Sequence, residues 1–312
     1  MPRIDVVIPM HNSARWVEGA LNSLLQQEHC LGQVICVDNN CTDSTGEVVQ
    51  TWAKAHPHVG IKVIEEPTPG ACAARNAGLR EVETEWVQFL DSDDTLGPSK
   101  MGVQMTLGQD HDLVYGHFSF AEGNKTWPSW SMNIDPVVGL AHGRLGQTSS
   151  NLFRTESVRA VGGWDEGLSS AQEYDLMFRM HVAGGRFIMS GDRLTTVRLF
   201  PDGRISTGNE SKRRANSFAL RMRMWAHFQD ASGVTTAQKQ HILNALFNTT
   251  RWLDAFDSEL ATQGYLALSN AGYTPTSDVQ LPNWFVLACQ ILGARKAARW
   301  RRTAQQWVLK KP

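Results

Sequence analysis

Short apolar strands alternate with amphipathic helices through the first part of this chain. Residues 4–9 and 33–38 are apolar runs of strand length, and residues 14–27 and 48–55 carry apolar side chains at helical spacing. This order is typical of a doubly wound parallel sheet, because a crossover helix returns the chain to a neighbouring parallel strand. Such a sheet binds ligands at the carboxyl ends of its strands, so the turns after the strands are the expected site.

Two of the predicted strands end in carboxylates. The second strand ends at Asp38, and the apolar stretch 86–90 is followed by the acidic turn 91–94, Asp-Ser-Asp-Asp. Carboxylate oxygens suit Mg²⁺ or Mn²⁺, which usually takes one or two of them together with the phosphates of its substrate. Asp and Ser also form turns and helix caps, and Pro98 would suit a helix start, so a metal site and a capped turn both stay open.

The turn after the second strand is polar and covers residues 39–44. Asn40 belongs to a residue type that tolerates the left-handed backbone conformation, and Ser44 with Glu47 has the spacing of a capping box. We therefore expect a tight turn that leads directly into the second helix.

A third short strand is predicted at residues 61–65, followed by small residues around Gly70 and then by Arg75. The small residues let the next helix approach the sheet or a ligand closely. Arg75 could reach a phosphate with its planar, permanently charged guanidinium group. The alternative is an ion pair between Arg75 and a carboxylate at the edge of the sheet.

The bulk composition excludes some classes of protein. The chain has 312 residues, of which 42% are hydrophobic and 20% charged, as in ordinary globular proteins and unlike disordered ones. A formal net charge of −1 provides no overall attraction to nucleic acid, so we expect no nucleic-acid partner. The length allows one large α/β domain with an extension, or two domains.

Cysteine spacing and hydropathy bear on the cellular location. The five cysteines show no Cys-x-x-Cys pair that would suggest zinc or a redox couple, so we expect reduced thiols. No basic and apolar leader precedes the first strand, and the apolar run 281–294 is shorter than the ~20 residues of a spanning helix. We therefore expect a cytoplasmic protein, with peripheral attachment to the inner face of the cytoplasmic membrane left open.

Residues beyond 211 have the apolar spacing of helices and predict a helical extension. Basic residues crowd the segment 295–311, where they surround an apolar stripe that includes Trp300 and Trp307. A helix of this kind can lie on an anionic membrane surface, and it can equally be a solvated terminal helix packed by its tryptophans.

Six segments of the first 200 residues occur in the order and spacing found in family 2 glycosyltransferases, and the chain resembles that family. The segments are residues 6–12, 37–43, 74–78, 89–94, 161–166 and 172–179. The resemblance implies the GT-A fold, a Rossmann-like, doubly wound mixed sheet with a C-terminal α-helical extension. It implies a catalytic domain at 1–210, with a nucleotide-sugar half at about 1–100 and an acceptor half at about 101–210, and an extension at 211–312.

The resemblance also implies a nucleotide-sugar donor and assigns residues to it. Asp38 would bind the base, Arg75 would lie near the base or the pyrophosphate, and Asp91 would lie on the ribose side. Asp93 would hold the metal, Mn²⁺ or Mg²⁺. The remaining residues that would border the donor are Pro9, His11, Asn12 and Ser92.

Glu173 matches the position of the general base in the family. Members commonly have Glu-Asp where this chain has Gln172 and Glu173, so the longer base would shift the acceptor by about one methylene. The alternative is that Glu173 and Asp175 only stabilise the positive end of a helix dipole. A second departure is Phe200, where many relatives carry a His, which leaves Arg198 or Arg204 to meet the diphosphate.

The function that the resemblance implies is an inverting transfer of a sugar, most simply from a UDP-sugar, to a hydroxyl group. The acceptor would be a saccharide or a lipid-linked molecule in cell-surface polysaccharide synthesis, and the enzyme a metal-dependent hexosyltransferase. Trp127 and Trp130 could stack on a sugar or pack in the core. The alternative function is a non-catalytic module that binds a nucleotide-sugar or a carbohydrate. A nucleotidyltransferase would need a Gly-rich, Lys-bearing triphosphate loop, which we do not find.

Overall fold

The computed structural model describes residues 3–27, 29–129, 135–200, 210–275, 283–293 and 295–297. The chain divides into two units, Met1–Gly208 and Asn209–Pro312. The domain boundaries expected from the sequence, and the roles of the two halves of the first unit, stay predictions. Trp130, Arg204 and the tail from residue 298 onward lie outside the described residues.

Nine strands form one mixed sheet in the described part of the first unit. They are β1 (Ile4–Met10), β2 (Leu31–Asp38), β3 (Ile61–Glu65), β4 (Trp86–Phe89), β5 (Thr95–Leu96), β6 (Leu113–Glu122), β7 (Lys125–Pro128), β8 (Leu152–Arg154) and β9 (Phe187–Arg198). The helices of this unit are α1 (Val17–Leu24), α2 (Thr45–Ala55), α3 (Ala71–Glu81), α4 (Lys100–Leu107), α5 (Pro136–His142), α6 (Thr155–Ala160) and α7 (Gln172–Val182).

The strand order is β3-β2-β1-β4-β8-β6-β9-β5, with β7 paired to β6. The first four strands of this order are parallel, whereas β8 is antiparallel to both of its neighbours. The predicted α/β mixed sheet is therefore confirmed. Because β1, β2 and β4 are parallel and adjacent, their carboxyl ends meet at one edge of the sheet.

Strand β1 is buried on both of its faces. On one face Ile4, Val6 and Ile8 pack in a cluster that includes residues of α1 and α2. On the other face α3 approaches so closely that a Cβ atom added to Gly78 would overlap Cγ1 of Val7. Helices on both faces explain why the parallel strands are continuous apolar runs in the sequence.

Two features were predicted for the turn that leads into α2, of which one is confirmed and one is wrong. Asn40 has a φ of 61°, so its left-handed conformation is confirmed. The capping box predicted for Ser44 is wrong, because the Ser44 side chain makes no capping hydrogen bond. Asp43 supplies the cap instead, since its Oδ1 accepts from the backbone N–H of Thr45 at 3.1 Å.

The second unit is helical in its described residues, as expected. It comprises α8 (Glu210–Phe228), α9 (Thr236–Leu253), α10 (Ser258–Asn270) and α11 (Asn283–Leu292). Its buried core includes Phe218, Leu246, Phe247, Tyr265 and Phe285. Among the helices that the structure describes, none combines the length and the apolar character that a membrane crossing requires.

Candidate active site

The carboxyl ends of β1 and β2 bring the first group of predicted site residues together. Pro9 lies opposite Val37 in the parallel ladder, and Met10 lies opposite Asp38. Just beyond the strands, the His11 ring Nδ1 lies 2.7 Å from the backbone oxygen of Asn39. Pro9, His11 and Asp38 therefore share one edge of the sheet, although they come from different segments.

Side chains of the predicted donor set also hold the loop after β2. One carboxylate oxygen of Asp38 accepts from the backbone N–H of Cys41 at 2.9 Å. Asn12, which has a left-handed φ of 49°, accepts from the backbone N–H of Thr42 at 2.7 Å. These hydrogen bonds fix the backbone of residues 41–42 at the carboxyl edge of the sheet.

Asn39 is a buried residue that the sequence reasoning did not assign to the site. Its Nδ2 donates to the backbone oxygens of Glu66 and Thr68, each at 2.7 Å. Its Oδ1 accepts from the backbone N–H of Gly70 at 2.8 Å. Asn39 thereby ties the end of β2 to the loop that precedes α3, and its place directly after an apolar strand was the available signal.

Arg75 on α3 joins three separate segments at the centre of the site. Its guanidinium group donates to Oδ1 of Asp91 at 2.6 Å and to Oε1 of Gln172 at 3.0 Å. It also lies 4.7 Å from the centroid of the Trp164 ring, a cation–π contact. The sequence offered an ion pair with a carboxylate at the sheet edge as the alternative role of Arg75. The contact with Asp91 is such an ion pair.

The charge of Arg75 is maintained although the side chain is only 5% exposed. Burial lowers the pKa of its guanidinium group, but the negative charge of Asp91, with smaller contributions from Cys72 and Glu173, raises that pKa overall. The Nε atom of Arg75 is buried and has no hydrogen-bond partner among the described residues.

The carboxylates of the acidic turn after β4 differ in their burial and in their contacts. Asp94 is buried, and its two oxygens accept from the Ser149 hydroxyl at 2.7 Å and from the backbone N–H of Arg198 at 3.0 Å. Burial, and then the charges of Asp93 and Asp91, raise the pKa of Asp94 well above its usual value. Asp94 is therefore part of the scaffold that holds the turn against Ser149 and β9.

The other residues of this turn are partly exposed. Asp91 is paired with Arg75, and the turn is closed by a hydrogen bond from Asp94 N–H to the backbone oxygen of Asp91 at 3.0 Å. Ser92 and Asp93 lie within this turn, both partly buried. The backbone oxygen of Asp93 accepts from Nε of Arg198 at 3.4 Å, which orients the Asp93 segment.

The carboxylate oxygens of the turn 91–94 determine which cation could bind there. Among the described residues, no group of three or more His, Cys, Asp or Glu side chains could hold a metal ion. Asp93 lies partly buried in the same turn, between the buried Asp94 and Asp91, which is paired with Arg75. One carboxylate fits Mg²⁺ or Mn²⁺ when substrate phosphates complete its ligands, so the residues fit a cation bound jointly with a diphosphate.

Three acidic or polar residues in the first turn of α7 make different contacts. Gln172 binds Arg75, and Glu173 next to it lies within electrostatic range of that guanidinium group. Asp175 is buried and accepts from Nε of Arg179 at 2.8 Å, so it belongs to the scaffold. Of the two carboxylates, Glu173 is thus the partly exposed one at the site.

Tyr174 positions the loop that faces this turn of α7. Its hydroxyl donates to the backbone oxygen of Gly146 at 2.8 Å and accepts from the backbone N–H of Leu145 at 3.0 Å. This pair of hydrogen bonds fastens residues 145–146 to α7.

Trp16 is a second residue that the sequence reasoning did not single out. Its ring centroid lies 4.9 Å from that of Phe200, and the guanidinium carbons of Arg15 and Arg198 lie 4.5 and 4.8 Å from it. Phe200 thus packs on an aromatic side chain. Arg198 is held between Trp16 and the Asp93 segment.

Trp127 lies on the exposed hairpin strand β7. Its ring centroid is 6.0 Å from that of Phe120, and the residue is 37% exposed. It therefore packs on one neighbour and presents the remaining surface to solvent.

Comparisons with known proteins identify a family and several similar proteins. The model of the family described as Glycosyl transferase family 2 matches residues 5–164. The putative teichuronic acid biosynthesis glycosyltransferase TuaG of Bacillus subtilis is 28% identical over 120 residues, which are 38% of this chain and 47% of that protein. Across the first curated relatives, the match spans from 20% to 47% of their length.

Two solved structures share the fold. TarS of S. aureus, residues 1–349, in complex with UDP-GlcNAc has a TM-score of 0.67 at 17% identity, and the match covers 97% of this chain and 92% of that one. The mannosyltransferase PcManGT of Pyrobaculum calidifontis, in complex with GDP-Man and Mn²⁺, has a TM-score of 0.56 at 21% identity, with 99% and 85% covered.

Proposed function

Because this chain belongs to glycosyl transferase family 2, we propose that it is an inverting glycosyltransferase that uses a nucleoside diphosphate sugar. The observation that carries the proposal is the contact of Arg75 with both Asp91 and Gln172. This contact joins the strand-end turn of the donor side to the helix turn that carries Glu173. A donor bound at that turn would therefore lie close to Glu173, although the two segments are far apart in the chain.

The donor would lie along the carboxyl ends of β1, β2 and β4. Asp38 would accept hydrogen bonds from the base, with Pro9, His11 and Asn12 bordering the nucleoside. Asp91 and Ser92 would lie on the ribose side, and Arg75 would face the base or the pyrophosphate. UDP is the favoured nucleotide of this proposal, which the UDP-GlcNAc complex of TarS supports.

Asp93 would hold Mn²⁺ or Mg²⁺ together with the diphosphate oxygens. When bound, the ion would neutralise the charge that develops on the leaving diphosphate, an effect worth several kcal/mol. The Mn²⁺ in the complex of PcManGT supports this assignment. Arg198, which lies against the Asp93 segment, would add a fixed positive charge near the same phosphates.

Glu173 would act as the general base. It would take the proton from the acceptor hydroxyl while the oxygen bonds to the anomeric carbon and the bond from that carbon to the diphosphate breaks. Attack from the side opposite the diphosphate inverts the configuration, and general-base assistance is worth roughly 10²- to 10⁴-fold in rate.

The acceptor would be a saccharide or lipid-linked hydroxyl in the synthesis of a cell-surface polysaccharide, with a hexose as the transferred sugar. The name of TuaG supports this class of product. The half-exposed ring of Trp127 offers an apolar surface for a sugar. The reaction would take place in the cytoplasm or at the inner face of the cytoplasmic membrane, where the segment 295–311 would provide peripheral contact.

The test compares Asp93→Asn and Glu173→Gln with Glu156→Gln, which changes an exposed carboxylate in the first turn of α6. With UDP-hexoses and Mn²⁺, we expect donor turnover to fall at least about 10²-fold in the first two variants and to stay unchanged in the third. Circular dichroism and thermal unfolding would show that all three variants fold.

Measurements of donor binding distinguish the role of Asp93 from that of Glu173. Stabilisation of the fold by UDP should lose its dependence on Mn²⁺ in Asp93→Asn and keep it in Glu173→Gln. Wild-type turnover in either variant would refute the role assigned to that residue. Binding without any turnover in the unaltered protein would favour the non-catalytic module.

A further inference from the structure

The hydroxyl group of Ser149 closes the acidic turn 91–94 from its buried side. It donates to Oδ2 of Asp94 at 2.7 Å, and its oxygen accepts from the backbone N–H of Asp91 at 3.1 Å. The backbone N–H of Asp94 also donates to the backbone oxygen of Asp91 at 3.0 Å. The two ends of the turn are therefore joined both directly and through Ser149, with Asp93 between them.

Three buried side chains fix the backbone around Ser149. The backbone oxygens of residues 149–151 each accept a hydrogen bond from a different one of them. The donors are, in the chain order of the acceptors, Gln88 Nε2 at 3.0 Å, Gln104 Nε2 at 2.9 Å and the Lys100 ammonium group at 3.2 Å. None of these three residues is more than 3% exposed. The segment that carries Ser149 is thus held rigidly beneath the turn, because its polar groups are satisfied inside the core.

The same segment is fastened to the helix of the proposed base. The Tyr174 hydroxyl makes hydrogen bonds to the backbone of residues 145–146. Nδ2 of Asn151 donates to the backbone oxygen of Leu145 at 2.9 Å, which closes the segment on itself. Residues 145–151 therefore bind both the acidic turn and α7.

We propose that Ser149 is a positioning residue for the metal ion. Its two hydrogen bonds go to Asp94 and Asp91, and they hold the turn in the shape that presents Asp93 to a cation bound with the donor diphosphate. Because Ser149 is 0% exposed, it acts through the turn and not by contact with the donor. This inference rests on the proposed metal role of Asp93 and names a residue on which the geometry of that role depends.

Removal of the hydroxyl should weaken the metal site without removing its carboxylate. In Ser149→Ala the backbone N–H of Asp91 loses this acceptor, and the carboxylate of Asp94 loses one of its donors, so the turn can relax. Loss of a hydrogen bond that orients a metal ligand typically weakens metal binding roughly 10- to 100-fold.

The neighbouring Ser150 provides a matched control. It lies in the same 3₁₀ turn, Thr148–Ser150, and is 1% exposed. Its hydroxyl accepts from the backbone N–H of Gln147 at 2.8 Å and donates to the backbone oxygen of Gln147 and to Oδ1 of Asn151. Ser150→Ala therefore removes an equally buried hydroxyl whose hydrogen bonds stay within residues 147–151.

The test follows thermal unfolding of the full chain with UDP while Mn²⁺ is titrated. Ser149→Ala should need at least about tenfold more Mn²⁺ for half of the maximal stabilisation, whereas Ser150→Ala should need the same concentration as the unaltered protein. Saturating Mn²⁺ should restore most of the stabilisation in Ser149→Ala, because Asp93 is still present. Ser149→Cys fills the space with a weaker hydrogen-bonding group and should shift the Mn²⁺ requirement in the same direction without leaving a cavity.

Three outcomes would overturn the inference. An unchanged Mn²⁺ requirement in both Ser149 variants would do so, and so would an equal shift in Ser150→Ala; either result leaves the role of Asp93 intact. If Mn²⁺ added nothing to the stability of the unaltered protein with UDP, the metal role of Asp93 would fail, and this inference with it.

Discussion

Gln172 connects the helix of the proposed base to the arginine at the centre of the site. Its Oε1 accepts from Arg75 at 3.0 Å, and its Nε2 donates to the backbone oxygen of Leu168 at 2.8 Å. Relatives commonly have a Glu at this place. A Glu could still accept from Arg75, whereas an apolar side chain would leave a guanidinium N–H of a buried Arg without its partner.

We predict that Gln172→Leu lowers kcat for transfer at least about tenfold and changes the KM for the donor much less. The reason is that Gln172 would orient the first turn of α7, and with it Glu173, in the transition state. Gln172→Glu, which keeps an acceptor oxygen, should retain most of the activity. Steady-state kinetics of both variants would check this, and equal losses in the two would contradict a positioning role.

At the scale of elements, the contact between α3 and β1 depends on the absence of one side chain. Gly78 lies inside α3, and a Cβ atom there would overlap Val7 of β1. Gly19 lies inside α1 on its exposed side, and a Cβ atom there would meet no atom within 4 Å. The two glycines are similar in local sequence context, since both occupy helix interiors.

We predict opposite effects of the same substitution at these positions. Gly19→Ala should raise the free energy of unfolding by about 0.5–1 kcal/mol, because Ala restricts the unfolded chain and favours a helix. Gly78→Ala should lower it by about 1–3 kcal/mol, because α3 must move away from the sheet that positions Arg75. Urea unfolding of both variants measures the difference. A gain in stability for Gly78→Ala would show that α3 is not closely packed.

At the scale of the whole first unit, the core contains a buried lysine. Lys100 is 1% exposed, and its ammonium group donates to Oε1 of Gln88 and to the backbone oxygen of Asn151. Burial lowers the pKa of Lys100 well below its usual value of 10.5, although the nearby Cys30 opposes this shift. The folded protein therefore holds a lysine that releases its proton more readily than it does in the unfolded chain.

We predict that this lysine makes the stability of the protein depend on pH. Between the lowered pKa and 10.5, the unfolded chain binds one more proton than the folded one, so stability rises with pH by up to about 1.4 kcal/mol per unit. Lys100→Met removes this contribution. The free energy of unfolding of the unaltered protein, minus that of the variant, should increase as the pH rises from the lowered pKa of Lys100 towards 10.5. A constant difference would mean that Lys100 stays charged in the fold.

Much of the fold could be predicted because its signals are local. Apolar runs of strand length ending in Asp38 or in the turn 91–94, each next to a helical repeat, indicate a parallel sheet with its site at one edge. The left-handed turn at Asn40 follows from the residue itself. Three of the six family segments run through these strand ends, and two lie in α3 and α7. The order of elements and the family were therefore accessible from the sequence.

The tertiary structure decided which neighbouring residues of one kind are buried and which partners they bind. Asp93 and Asp94 are adjacent in the chain, yet the carboxylate of Asp94 is buried against the Ser149 hydroxyl and the backbone N–H of Arg198, whereas Asp93 is partly exposed. The hydrogen bond between Arg75 and Gln172 joins residues 97 positions apart, which no local pattern encodes. Local sequence determines which elements form and where they end, whereas burial and partners depend on what distant segments bring to the same place.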